Sequence, residues 1–248
     1  MLTKKLKGLI VASTVAASAL FATCAVHADD LQSIENAKEI RIAMSGQYSP
    51  FSFANEQNQI VGFDASISEA LAQRLGVKVS IVTTPFDGII AGLLAKKYDA
   101  IIASMTITPE RQKAVDFVGP YYHAGRTIVV KEDSPIHSLD DLKEVKVGVT
   151  LGDAHDKWAR TRGNLKVKTY KGLPEMLVDL DAGRLDALVM DSVPVLVAVK
   201  ETGQKVRIIT PPDSDGGVEG MGIALRKNNP ELKAAMQQAL NDMLADGS

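Results

Sequence analysis

Apolar positions fall into short runs and spaced stripes that alternate along most of the chain. Residues 39–44, Glu-Ile-Arg-Ile-Ala-Met, alternate at period two and predict a first strand, left through a loop over residues 45–51. Phe63, Ile67, Leu71 and Leu75 recur every four residues and predict an amphipathic helix that Gly76 stops. Residues 77–82 predict a strand, and residues 86–94 a helix with Ile89, Ile90 and Leu93 on its apolar face. Ala100-Ile101-Ile102-Ala103 has the length and branching of a buried strand. This β-α-β-α-β order is the pattern of a mostly parallel sheet, and the fold class is α/β. The cycle then restarts, with strands at 127–131, 145–149, 166–170, 186–190, 206–209 and 221–225. Between them lie a helix carrying Trp158, one opened by Pro174 with Leu173, Met176, Leu177 and Leu180 on one face, and one over 193–200. A last helix from Pro230 buries Leu232, Ala235, Met236, Ala239, Leu240 and Met243.

The stretch from Asp99 to Arg111 concentrates polar chemistry at the end of a strand. Ser104, Thr106 and Thr108 supply hydroxyls, and Pro109-Glu110-Arg111 predicts a helix start with Pro in its first turn. In open α/β sheets ligands sit at this carboxyl edge, and a guanidinium fork suits a planar carboxylate. On the residues alone, an Arg paired with a surface acid fits equally well. Residues 94–104 and 181–191 resemble each other: helix end, basic turn, Asp-Ala, apolar strand. Their alignment sets Ser104 against Asp191. Two α/β lobes with these edges facing would form a cleft holding Arg111 on one wall and Asp191 on the other, an arrangement suited to a zwitterion. Asp191 could equally cap the following helix, marked by Pro194.

Composition narrows the class. The 248 residues, 46% hydrophobic and 23% charged, fit one large domain or two modest ones. Lys4, Lys5 and Lys7 precede an apolar stretch, and Val26-His27-Ala28 fits a cleavage site before Asp29, so residues 1–28 are expected to be a secretory signal. Cys24 offers a lipoprotein alternative, which Phe21-Ala22-Thr23 fits poorly. Removing that segment takes away three Lys and no acids, moving the formal charge from −2 to −5, and removes the only Cys. Disulfides, thiol catalysis and cysteine metal sites are thereby excluded, and mild acidity without a basic block argues against nucleic acid. No other apolar run approaches membrane-spanning length. A cysteine-free exported chain with a Lys-rich signal is expected in a bacterial periplasm, as a monomer, with no cofactor and no metal.

Several motifs then occur in order: G-x-Y-x-P-F at 46–51, Val61-Gly62-Phe63-Asp64, the 99–111 stretch followed by D-F-V-G-P-Y-Y, Val147-Gly148-Val149 with Leu151-Gly152, Gly183-Arg184-Leu185-Asp186-Ala187, and G-I-A-L-R-K at 222–227. Across them the chain resembles the periplasmic solute-binding proteins of polar amino-acid ABC importers, the extracellular family 3 group. The resemblance implies the two-lobe type II binding-protein fold, each lobe a mostly parallel sheet flanked by helices, with two connecting strands and ligand trapped by hinge closure. It places one lobe at residues 29–122 plus 221–248 and the other at 123–220, with crossings near 122–126 and 217–221. Arg111 would hold the ligand α-carboxylate with Thr106 and the backbone N–H groups of Gly152, Asp153 and Ala154. Asp191 would take the α-ammonium, assisted by the Ser104 carbonyl, with Met105 beside it in the same segment. Tyr48 and Phe86 would sandwich the side chain. The implied partners are a polar amino acid and the membrane permease of an importer.

Departures leave the amino acid open. The loop Ser45-Gly46-Gln47 lacks the Asp common in binders of cationic residues, Asp153 and Ala154 replace frequent hydroxyls, and L-G-x-x-x-x-x-W is reminiscent of cystine binders. Asp153 could instead cap its helix. The chain stops before the Lys-Trp-Phe-Gly-like tail usual in this group. Cyclohexadienyl dehydratases on this fold use an acid three positions after the equivalent of Asp191, where this chain has Pro194, which cannot transfer a proton. Asp153 with His155 is the replacement pair to consider, although an exposed helix turn is the expected home of both. Sensory ectodomains are a third possibility on this fold. Asp213-Ser214-Asp215-Gly216 resembles the opening of a calcium loop but has no Glu where position 12 needs one.

Overall fold

The computed structural model describes residues 29–212 and 219–248. In chain order the elements are α1 (Asp30–Ala37), β1 (Glu39–Met44), β2 (Gln47–Tyr48), β3 (Ser52–Ala54), β4 (Ile60–Val61), α2 (Phe63–Arg74), β5 (Lys78–Thr83), α3 (Ile89–Leu94), β6 (Ala100–Thr106), α4 (Arg111–Ala114) and β7 (Val115–Ala124). Gly125 alone separates β7 from β8 (Arg126–Lys131). Then follow β9 (Lys146–Thr150), α5 (Ala154–Thr161), β10 (Lys166–Tyr170), α6 (Leu173–Asp181), β11 (Ala187–Asp191), α7 (Ser192–Thr202), β12 (Val206–Ile209), β13 (Glu219–Arg226) and α8 (Pro230–Asp246). The expected signal segment, Cys24 and the Asp213–Gly216 turn lie outside the described residues, as does part of the second expected crossing.

Two five-stranded sheets carry the two lobes. Their orders are β5-β1-β6-β13-β7 and β10-β9-β11-β8-β12. In the first, β5, β1 and β6 run parallel, and β13 runs antiparallel to both β6 and β7. The second repeats the scheme, with β10, β9 and β11 parallel and β8 antiparallel to β11 and β12. The sheets are therefore mixed, a refinement of the mostly parallel expectation. Each gains antiparallel partners because strands next to the lobe crossings enter it in the opposite sense. Strands β6 and β11 occupy the middle of their sheets and are buried along their whole length. A central strand covered on both faces needs apolar residues at every position, which is why both read as continuous runs.

The internal repeat has a structural meaning. Asp99 N–H donates to the Arg41 carbonyl at 2.8 Å, and Arg41 N–H donates to Asp99 Oδ2 at 2.9 Å. In the other lobe, Asp186 N–H donates to the Lys146 carbonyl at 2.9 Å, and Lys146 N–H donates to Asp186 Oδ2 at 2.8 Å. Each Asp locks the entry of the central strand to the strand before it. Packing corrects one helix: Phe63 is 40% exposed, and α2 buries Asp64, Ala65, Ser68, Leu71 and Ala72 instead of a strict every-fourth stripe. A spacing of four drifts around a helix of 3.6 residues per turn, so it cannot hold one face for long. The α6 face of Leu173, Met176, Leu177 and Leu180 is buried as expected.

Candidate ligand-binding cleft

The carboxyl ends of β6 and β11 face one another across the lobes, and one inner cavity of about 40 Å³ is lined by residues from both. From the first lobe it takes Tyr48, Phe86, Ser104, Thr106 and Arg111, and from the second Asp153, Ala154, His155 and Asp191. Eight of the nine residues expected at the site thus line one cavity. Met105 does not. Its side chain has 0% exposure and packs in the first-lobe core, because alternation along β6 turns it to the opposite face from Ser104 and Thr106.

Arg111 opens α4, a helix of only four residues. Its Nη1 donates to the Thr106 carbonyl at 2.8 Å and its Nη2 to the Gly152 carbonyl of the other lobe at 3.2 Å, while the guanidinium lies 5.5 Å from the Phe86 ring centroid. Among the described residues no carboxylate is within ion-pair range of it. Burial lowers its pKa, opposed by Asp153 and Glu219. A cation held by carbonyls and an aromatic face retains capacity for an anion.

Asp191 ends β11 and stands at the N-cap position of α7, yet its side chain makes no cap hydrogen bond. Tyr48 from the first lobe donates its hydroxyl to Asp191 Oδ2 at 2.5 Å, and His155 Nε2 lies 3.3 Å from Oδ1. Burial raises the pKa of Asp191, but the hydrogen bond and charge of His155, with Tyr48 and Arg126, outweigh it and hold the group below the usual carboxylate range. Tyr48 is backed by Phe51, with centroids 5.6 Å apart, and Phe51 by Tyr122 at 4.9 Å.

Ser104 adopts a left-handed conformation at φ 51°, and its hydroxyl donates to Asp64 at 2.9 Å, away from the cleft. The backbone donors expected on the opposite wall are partly engaged. Gly152 N–H donates to Asp156 and Asp153 N–H to the Thr150 carbonyl, which leaves Ala154, where a helix start has no intrahelical acceptor. Asp153 does cap α5: its Oδ1 accepts from Asp156 N–H at 2.7 Å, and burial pushes its pKa up to about 6. His155, expected at an exposed turn, is 5% exposed, which corrects that expectation. The missed signal is its spacing to Trp158 and Ala159 (three and four residues on), which sets it on the inward stripe of α5. Gln47, Thr150, Lys171 and Gly172 also line the cavity without having been anticipated.

Beyond Phe86 and Gln47 opens an outer chamber of about 690 Å³, lined by Thr84, Asp87, Lys171 and Glu175 among others. Lys171 borders both spaces. Among the described residues no group of three or more His, Cys, Asp or Glu is placed to hold a metal ion, and no helix is long and apolar enough to cross a membrane.

Comparison with known proteins places this geometry in context. The family described as bacterial extracellular solute-binding proteins, family 3, matches residues 40–248. The chain is 35% identical over 221 residues to the L-cystine-binding protein TcyJ of Escherichia coli (strain K12), covering 88% of this chain and 82% of that protein. It is 37% identical over 218 residues to the L-arginine-binding protein of Pseudomonas aeruginosa, with 85% and 84% covered. Among solved structures, the ancestral amino acid-binding protein AncCDT-1, a precursor of cyclohexadienyl dehydratase, superposes with a TM-score of 0.81 at 38% identity, covering 88% of this chain and 95% of that one.

Proposed function

The chain belongs to the bacterial extracellular solute-binding proteins, family 3, and from that premise we propose that it captures a polar L-amino acid between its lobes for an ABC importer. It acts by binding and release, without chemistry on the ligand. One observation carries the reading: a cation and an anion from different lobes, Arg111 and Asp191, line the same small cavity. Only the closed arrangement presents both to one molecule, so a zwitterion shifts the open–closed equilibrium by its differential affinity. Arg111 takes the carboxylate, Asp191 the ammonium with the Ser104 carbonyl, and Tyr48 and Phe86 flank the side chain. The lobes are residues 29–122 with 221–248, and 123–220. Residues 1–28 serve as export signal, the protein works as a monomer in the periplasm, and its partner is a membrane permease.

The inner cavity of about 40 Å³ is small, and one water needs about 10–15 Å³ by the same measure. A long side chain therefore runs outward past Phe86 towards the polar chamber holding Asp87, Lys171 and Glu175. Pro194 follows Asp191 by three positions and is buried in α7, where it offers no proton for dehydratase chemistry.

A thermal-shift screen of the exported chain, freed of carried-over ligand, tests the reading against the twenty amino acids, cystine, ornithine and prephenate. A true ligand at a hundredfold excess over its Kd adds about 2.7 kcal/mol. Stabilisation by one or a few polar amino acids is expected; a response to prephenate alone, or to nothing, overturns it. Arg111→Ala is expected to cost about 3–5 kcal/mol of binding, since the carboxylate is left buried and unpaired. Asp191→Asn is expected to weaken α-amino acids far more than carboxylates lacking the amine.

A further inference from the structure

His155 stands against Asp191, the carboxylate proposed above to receive the ligand ammonium. It lines the inner cavity from the first turn of α5. Its Nε2 faces Asp191 Oδ1 at 3.3 Å, and on the other side of the ring Arg126 Nε donates to Nδ1 at 3.2 Å. A guanidinium is a donor only, so Nδ1 carries a lone pair here and the ring proton sits on Nε2. In its neutral form the imidazole is thereby set as a donor to Asp191. Arg126 is itself well held. It is the strand partner of Asp191 across β8 and β11, it lies 4.8 Å from the Trp158 ring centroid, and its Nη2 is 3.9 Å from Glu219. Among the described residues, the charged groups around the imidazole are Arg126 from β8, Asp191 from β11 and Asp153 from the cap of α5. Behind these stand Glu219, Tyr48, Arg111, and Arg162 on the Trp158 ring.

We propose that His155 is a positioning residue of the binding site, orienting Asp191 for the ligand ammonium and linking capture to release of a proton. The inference rests on the amino-acid-binding reading above. An imidazolium would turn a second N–H towards Arg126 and set its own charge beside the ligand ammonium on one buried carboxylate. Two cations sharing that anion oppose one another. Burial lowers the pKa of the ring, but Asp153 and Asp191 together raise it on balance. An arriving ammonium on the same carboxylate disfavours a second proton on the ring. Affinity weakens on acidification, approaching about tenfold per pH unit below the titration point of the free form's imidazole and levelling off below that of the bound form.

Nitrogen-15 NMR of the imidazoles in the exported chain tests the geometry without any ligand; the other two described histidines, His123 and His137, are exposed. The Nε2–H tautomer is expected at about pH 8. The probe for binding is whichever of L-arginine, L-histidine, L-glutamine and L-cystine binds tightest, all unlabelled. Saturation with it should lower the His155 titration point, and calorimetry from about pH 8.5 down to about pH 5.5 should show a rising Kd. His155→Gln can still donate to Asp191 and accept from Arg126 but does not titrate. It should flatten the pH profile and bind more tightly than His155→Ala. An Nδ1–H tautomer, a flat wild-type profile, or a wild-type slope in His155→Gln each overturns the proposal. Should neither these four nor any other amino acid of the thermal-shift screen bind, the amino-acid reading fails and this inference falls with it, while the tautomer still reports whether the Arg126–His155–Asp191 contacts exist.

Discussion

Asp64 has 0% exposure and accepts hydrogen bonds from the Ser104 hydroxyl at 2.9 Å and the Tyr121 hydroxyl at 2.6 Å. Tyr121 in turn accepts from Ser104 N–H at 2.9 Å. One carboxylate thus holds Ser104 from two sides in its left-handed conformation, at the edge of the cleft. Burial outweighs these bonds and pushes the Asp64 pKa from the ordinary 3.8 up to about 6. From pH 3.8 to about 6 the folded chain keeps a proton that the unfolded chain has released, so this group lowers stability as pH rises through that window. The full cost, about 3 kcal/mol, is present above pH 6. Asp64→Asn never ionises. Urea denaturation should show its stability gaining on the wild type between about pH 4 and about pH 7, and a constant difference would refute the raised pKa. This triad was invisible in the sequence because Asp64, Ser104 and Tyr121 are each ordinary and only the packing of α2 against β6 and β7 joins them. Arg111 and Asp191 were legible because each follows a continuous apolar strand.

At the scale of elements, the alternation of strands and helices was readable wherever an element was long enough to show its period. It failed for β2, which lies in the loop expected over residues 45–51, and gave no element for β3 and β4, which join it in a sheet of two- and three-residue strands. Runs so short carry no periodicity. It failed too for α1, whose only buried apolar side chain is Ile34, and for β7, whose residues 116–122 were read as a motif and not as a strand. The contacts between lobes were equally hidden, since they depend on glycines that touch distant backbone. A Cβ on Gly172 would stand 3.1 Å from the Gln47 carbonyl oxygen and 3.5 Å from its Cβ. Gly172 has φ −169° and ψ −174°, an extended backbone open to any residue, so its own lobe tolerates a side chain. Gly172→Val should therefore leave the fold intact while its branched methyls prop the lobes apart. A rise in Kd of about tenfold or more, with circular dichroism unchanged, is expected. Wild-type affinity would show that the lobes do not close on this contact.

For the whole molecule, the balance between open and closed rests on few bonds across the cleft. Glu110 and Lys157 pair across it, but both are exposed, and such pairs contribute about 0–1 kcal/mol. Arg111 reaches the Gly152 carbonyl at 3.2 Å. The Tyr48 hydroxyl on Asp191 is the one inter-lobe bond to a buried charge among these, and bonds of that type contribute about 1.5–3 kcal/mol. It also occupies the carboxylate that the proposed ammonium must share. Removing it should therefore act differently on the two states. In Tyr48→Phe without ligand, Asp191 Oδ2 loses its donor on closure, so the closed population should fall by about ten- to a hundredfold relative to the open one. With amino acid bound, the ammonium can satisfy that oxygen and closure is restored. Small-angle scattering should accordingly show a larger radius of gyration for unliganded Tyr48→Phe than for the unliganded wild type, provided the wild type is appreciably closed, and the same radius for both at saturation. Equal radii without ligand would mean that this bond does not set the balance. A persistently larger radius with ligand would mean that the ring hydroxyl is needed in the bound state itself, and that Tyr48 does more than flank the side chain.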